Sequence, residues 1–170
     1  AGYTAQTGPT SGDPVTQSLQ AKLDNFASVL DFGATGDGVT DDTDAINRAL
    51  YQLFCRETNT TVRRSLYFPA GTYRVTQSIA VPPFAQLWGD GPDSAIIEMD
   101  VASDSSFGPY VMRTADSLQQ TGVNIGNNSA TPPKQIVISG MTFTSVEDID
   151  LVLVDRAEQV SFNNVNFEGP

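Results

Sequence analysis

Histidine is absent from the 170 residues. No His-based triad, proton relay or imidazole metal site can therefore be built from them. Cysteine occurs once, at Cys55; a single thiol makes no internal disulfide, and the fold does not draw on an oxidising compartment. Basic residues are scarce, nine Lys and Arg against twenty Asp and Glu, for a formal net charge of −11. Apart from the pair Arg63 and Arg64 they are scattered. No nucleic-acid partner is expected, because phosphate binding needs clustered cations. No apolar run approaches the length of a membrane span, so no membrane insertion is expected either. Charged residues make up only 17% and hydrophobic residues 39%, which excludes a disordered chain and a charged coiled coil. What is plentiful is Gly, Asn, Ser and Thr, a composition that suits a turn-rich β architecture.

The chain divides by composition. Residues 1–14 (AGYTAQTGPTSGDP) carry almost no apolar content and read as a flexible linker. With no initiator Met, the expectation is a piece of a longer protein. In residues 15–30 (VTQSLQAKLDNFASVL), Leu19, Leu23, Phe26 and Leu30 fall at spacings of four, three and four. That is a short heptad seam, which predicts a helix packing either on its own domain or on copies of itself. Residues 40–56 (TDDTDAINRALYQLFCR) predict a second helix. Thr40, Asp41 or Asp42 would cap its start, and the aspartates of its first turn would favour the helix dipole. Ala45, Ile46, Ala49, Leu50, Leu53 and Phe54 form one apolar stripe, which needs a surface to cover.

From Ser65 the apolar period changes from 3.6 to 2. SLYF, TYRV, SIAV, AQLW and AIIEM read as short strands punctuated by Pro and Gly. Residues 100–134 interrupt them, with a short strand expected near Tyr110; an irregular stretch this long points to an insertion that carries contacts or function.

Two later segments carry a repeat. IVISGMTF and VSFNNVNF superpose with a shift of 24 residues, from Ile136 to Val160. Apolar residues match at four positions, and Gly140 falls on Asn164. Gly and Asn are the residue types that most readily adopt the left-handed conformation of a sharp corner. Each segment therefore reads as two short strands around a tight bend. Two similar hairpins of an antiparallel sandwich would give the same apolar match, but the paired corner residues favour a β-solenoid coil. Stacked at about 4.8 Å, such coils bury a continuous core. The open end of a solenoid must be covered, and the stripe of residues 40–56 is the natural cover. LVLV at 151–154 supplies a third strand. The stack is expected to be cut off at its C-terminal side.

The string SVLDFGATGDGVTDDTDAINRAL, followed by YFPAGTYRV and LWGDG, resembles the N-terminal signature of the pectate-lyase-like superfamily of phage tailspikes and depolymerases. The resemblance covers about residues 28–170. It implies an all-β fold, the start of a right-handed parallel β-helix, with a neck helix over 15–30 and a capping α-helix within 31–170. Fungal exo-β-1,3-glucanases have a similar start, although their aromatic-rich segments after the first coil are missing here. A neck running into SVLDFGA implies a homotrimer, with Leu19, Leu23 and Phe26 facing the three-fold axis. The implied partners are bacterial surface polysaccharide and a virion tail or baseplate protein, and the implied location is the phage tail. The parent would be a polysaccharide depolymerase, with this part capping and trimerising rather than catalysing. A secreted monomeric hydrolase or lyase, or a non-enzymatic glycan-binding adhesin, are the alternatives.

Candidate chemistry is sparse. Glu147, Asp148, Asp150 and Asp155 surround the corners of one coil, and glycosidases use two carboxylates about 5–9.5 Å apart. The aspartates of DGVTDDTD do not follow EF-hand spacing, so no metal is expected, and no cofactor motif is present. GATGDG lacks the ending of a phosphate loop. Trp88, Tyr110 and Phe107 are of the type that stacks on sugar rings, with Trp88 read as a packing residue at a turn.

Overall fold

The computed structural model describes residues 2–5, 15–19, 26–55, 65–100, 110–115 and 133–170. The strands are β1 (Gly2–Ala5), β2 (Val15–Ser18), β3 (Ala27–Ser28), β4 (Asp37–Asp41), β5 (Leu66–Phe68), β6 (Gly71–Val75), β7 (Ile79–Val81), β8 (Gln86–Gly89), β9 (Ala95–Met99), β10 (Tyr110–Thr114), β11 (Lys134–Ser145), β12 (Asp150–Leu153) and β13 (Glu158–Glu168). Among the described residues a 3-10 turn, Val29–Phe32, and a helix, α1 (Thr43–Leu50), accompany them, with a π-helical turn at Tyr51–Cys55 closing α1.

From β3 onward every pairing is parallel, in three stacks. The first face is β3, β5, β8, then the first halves of β11 and β13. The second is β4, β6, β9, then the second halves of those two strands. The third is β7, β10 and β12. Successive strands of one face belong to successive coils, which defines a parallel β-helix, right-handed as parallel crossovers are. The predicted repeat is borne out residue for residue: Ile136 pairs with Val160, Ile138 with Phe162, Met141 with Val165 and Phe143 with Phe167. Gly140 and Asn164, at φ +66° and +52°, both make the left-handed corner that bends their strand from first face to second.

Alternation sends every second side chain inward, where like positions stack into ladders. Leu66, Leu87, Ile138 and Phe162 form one; Tyr73, Ile97, Phe143 and Phe167 another; Ile79, Met112 and Val152 a third. Ala45, Ile46, Ala49, Leu50 and Phe54 join the same core, so the apolar stripe of α1 finds the surface it needs. Asn47 fixes the helix to the edge strand β7: its Nδ2 donates to the Ser78 carbonyl at 3.3 Å and its Oδ1 accepts the Ala80 N–H at 2.9 Å. Edge groups that would otherwise template further pairing are thereby satisfied.

Three expectations are corrected. First, a helix does not begin at residue 15. Val15–Ser18 is a strand paired antiparallel with Gly2–Ala5, which also replaces the start of the expected linker; the β-branched Val15 and Thr16 suit that state. Leu19 is helical and exposed, Leu23 lies outside the described residues, and Phe26 is exposed and non-helical. At the far end Ser28 ends any helix arriving from upstream. Its Oγ accepts the Leu30 N–H at 3.2 Å, and Asp31 accepts the Ser28 N–H at 2.9 Å, a capping box that starts the 3-10 turn instead. Second, the helix predicted over 40–56 begins at Thr43, because Asp37–Asp41 pairs with β6. Third, the cap is arranged differently, as described next.

Candidate functional site

Thr40 does not cap α1. Its hydroxyl donates to Asp37 Oδ2 at 2.8 Å, and Asp37 Oδ1 accepts the N–H groups of Val39 and Thr40 at 2.9 and 2.7 Å. These bonds, the Thr40 and Val39 N–H groups foremost, lower the Asp37 pKa from 3.8 to about 2. Asp41 takes the capping contact, accepting the Thr43 N–H at 3.0 Å and the Thr43 and Thr76 hydroxyls. Burial pushes the Asp41 carboxyl up, but these bonds and the Arg74 charge outweigh it and hold it below the usual range. Asp42 occupies the N-cap position with its side chain turned away. Almost wholly buried, it accepts the N–H groups of Thr35 and Gly36 at 2.8 and 3.0 Å. The aspartates of DGVTDDTD thus tie loop, strand and helix together. Among the described residues no group of His, Cys, Asp or Glu is arranged to hold a metal ion.

Of the carboxylates nominated for catalysis, Glu147, Asp148 and Asp150 are exposed at the corner between second and third faces. Asp155 lies at the next corner, where its N–H donates to Thr114 Oγ1 at 3.0 Å and its carboxylate stands 3.8 Å from Arg156 Nε. β12 separates the two corners. Its four residues span about 10 Å, already longer than the spacing across a scissile sugar bond. The fold does bring other carboxylates onto one line. On the outer side of the second face, Asp41, Arg74, Glu98, Thr144 and Glu168 are in register. Glu98 and Glu168 flank Thr144 two strand spacings apart, about 9.6 Å, near the upper end of the inverting-glycosidase range. Arg74 is paired with Asp100, a bond that raises its pKa further.

The outer ladder of the first face has a different character. Ser28, Tyr67, Trp88, Ser139 and Asn163 are in register on β3, β5, β8, β11 and β13. Because Leu66, Phe68 and Leu87 point inward, Tyr67 and Trp88 must point outward. Their rings stack at 4.2 Å between centroids with 24° between planes. The Tyr67 hydroxyl donates to Asp90 Oδ1 at 2.6 Å, and Asp90 Oδ2 accepts the Ala70 N–H at 3.0 Å. That bond to Asp90, first, and burial, second, raise the Tyr67 pKa above 10.0. Phe26, Ala27 and Ser65 close a shallow cavity of about 260 Å³ against the two rings. Trp88 is 37% exposed and Phe26 65%, so Trp88 packs on Tyr67 while remaining partly open at the surface. Tyr110 is half-buried on the third face, and Phe107 lies outside the described residues. Tyr67 and Asp90 were not anticipated. Setting SLYF over AQLW on their inward leucines, a shift of 21 residues from Leu66 to Leu87, would have stacked the two rings.

A three-faced parallel coil with one helix laid across its edge is the architecture of pectate-lyase-like proteins. Residues 26–170 match the family described as rhamnogalacturonase A/epimerase, pectate lyase-like, and the chain belongs to that family. It is 38% identical over 84 residues to a glucan 1,3-beta-glucosidase of Cochliobolus carbonum, covering 49% of this chain and 9% of that protein. It is 37% identical over 86 residues to the preneck appendage protein of Bacillus phage PZA, covering 51% of this chain and 9% of that protein. Among solved structures, tailspike protein 3 of bacteriophage CBA120 superposes with a TM-score of 0.66 at 19% identity, over 98% of this chain and 24% of that one. The chain thus spans about a tenth of the length of these curated relatives.

Proposed function

We propose that this chain forms the covered start and first coils of a phage tail appendage. The appendage would be a homotrimer, joined upstream to a tail or baseplate protein, that attaches to bacterial surface polysaccharide. In its complete form it would depolymerise that polymer, with this part serving to cap the β-helix and assemble the trimer. The reading is carried by the likeness to the phage preneck appendage protein, which extends over about half of this chain. The helix laid over the edge of β7 supports the capping role. Leu19, exposed ahead of the first coil, supports a contact with other copies there; Leu23 would extend it, whereas Phe26 lines the aromatic cavity.

The test combines sedimentation equilibrium of the 170-residue chain with co-sedimentation on purified bacterial surface polysaccharides. A species of three 18.2 kDa chains, retained by at least one polymer, is expected. A stable monomer retained by none would sink the proposal. The likeness to the fungal glucosidase favours a second reading, a polysaccharide hydrolase, with Glu98 and Glu168 as its carboxylates. Release of reducing ends from β-1,3-glucan that Glu98→Gln abolishes would move the balance to it.

A further inference from the structure

We propose that the cavity formed by Phe26, Tyr67 and Trp88 on the outside of the first face is a saccharide subsite, and that it takes an uncharged pyranose ring. The site rests on the reading of the chain as polysaccharide-directed, and adds to it a location and a ligand class.

Four observations converge on it. The two stacked rings, with Phe26 beside them, gather apolar surface where the pleat requires an outward side chain, and exposing such surface to water is costly. The platform is held in advance: the Tyr67 hydroxyl is bound to Asp90, and Asp90 is bound to the Ala70 N–H, so little ordering is left for a ligand to induce. The surroundings are polar in the right places. Each Asp90 carboxylate oxygen accepts one of these hydrogen bonds and retains capacity for another, and Ser65 lines the cavity. An apolar floor with a few fixed polar groups is how small-molecule sites orient a ligand. A pyranose ring offers both halves of that match, C–H groups on its face and hydroxyls around its edge.

Size and charge narrow the occupant further. A stable contact with a second protein needs about 800 Å² on each side, whereas this is a shallow cavity of about 260 Å³ lined by five residues, on the scale of a sugar ring. None of those five is cationic, and the whole chain carries −11. Among the described residues that line the cavity a uronate or a phosphate-bearing glycan would find no cation, whereas a neutral hexose or an N-acetylated amino sugar needs none.

Trp88 is the sole tryptophan, so its emission reports on this site and no other. Oligomers of glucose and of N-acetylglucosamine, titrated into the 170-residue chain, should shift the emission saturably. Oligogalacturonate should leave it unchanged. Tyr67→Ala should weaken binding about fivefold or more. Asp90→Ala, which leaves both rings in place, should weaken it as well, and calorimetry on the parent chain checks the affinity without reliance on the emission. The proposal is overturned if oligogalacturonate binds and the neutral sugars do not. It is equally overturned if the emission shift survives in both variants, or if emission depends on protein concentration alone, which would make the cavity a contact between copies. Retention of the chain by a whole polysaccharide with Trp88 unmoved would remove this subsite and leave the broader reading standing.

Discussion

Asp37 is exposed, yet its carboxylate accepts two N–H groups and one hydroxyl. Its folded pKa of about 2 lies below the ordinary 3.8. A carboxylate whose pKa is depressed by folding stabilises the fold fully above its unfolded pKa, and the benefit is lost as pH falls through the folded value. The affected window is therefore about pH 4 down to about pH 2. Urea unfolding of the parent and of Asp37→Asn should show a midpoint difference that is constant above about pH 5 and closes across that window. A difference that persists unchanged at about pH 2 would mean that the charge of Asp37 plays no part. The same turn explains why the capping assignments were only half legible. The spacing DGVTDD announces carboxylates at a helix start, but three aspartates within six residues have three sets of backbone partners to choose among. Pairing of β4 with β6 decides which carboxylate reaches α1, and that pairing is a long-range fact.

The corner at Gly140 shows what the repeat imposes on single elements. A Cβ there would sit 2.6 Å from the Gly89 carbonyl oxygen, and one at Gly89 would sit 2.5 Å from the Gly140 carbonyl oxygen. Successive coils touch backbone to backbone at this place, and the left-handed φ at residue 140 adds its own cost for any L side chain. Gly140→Ala should lower unfolding free energy by about 2–4 kcal/mol. Asn164→Gly, one coil further at the same kind of corner but exposed, should change it by less than about 1 kcal/mol. Denaturant melts of the two variants check the contrast, and equal effects would show that the coil contact does not matter. The 24-residue match was readable because β11 and β13 keep one corner type and one length. Coils β5 to β7 and β8 to β10 use other corner lengths, so the same inward ladder was present without an audible period. That is also why Tyr67 over Trp88 went unseen: outward register follows from inward register, and only the later pair of coils revealed the latter. The expected helix does not reach either end of residues 15–30, for the converse reason. Its apolar spacing is genuine, but Val15 and Thr16 favour strand and Ser28 binds its own downstream backbone, two local preferences that a heptad count ignores.

Across the whole molecule burial runs along the solenoid axis. Ile46 and Leu50 of α1, and Phe143 of β11, are fully buried, whereas Phe167, stacked on Phe143 at 6.0 Å, is 47% exposed. Phe162 and Val165 of the last coil are likewise only partly covered. In a stack where each coil contacts only its neighbours, stability is close to a sum of coil and interface terms. The last coil described has a single such interface. Phe143→Ala should therefore cost about 3–5 kcal/mol, as removal of a buried ring does, and Phe167→Ala about 1–2 kcal/mol. Amide hydrogen exchange on the 170-residue chain should follow the same gradient. The β11 amides should open only with global unfolding, and those of β13 through a cheaper local opening that spares α1 and β5 to β7. Equal protection in β11 and β13 would instead make the whole chain one cooperative unit, with the stabilising contact for the last coil supplied by another copy. That outcome would tie the energetics of the coil to the trimer and make its protection fall with dilution.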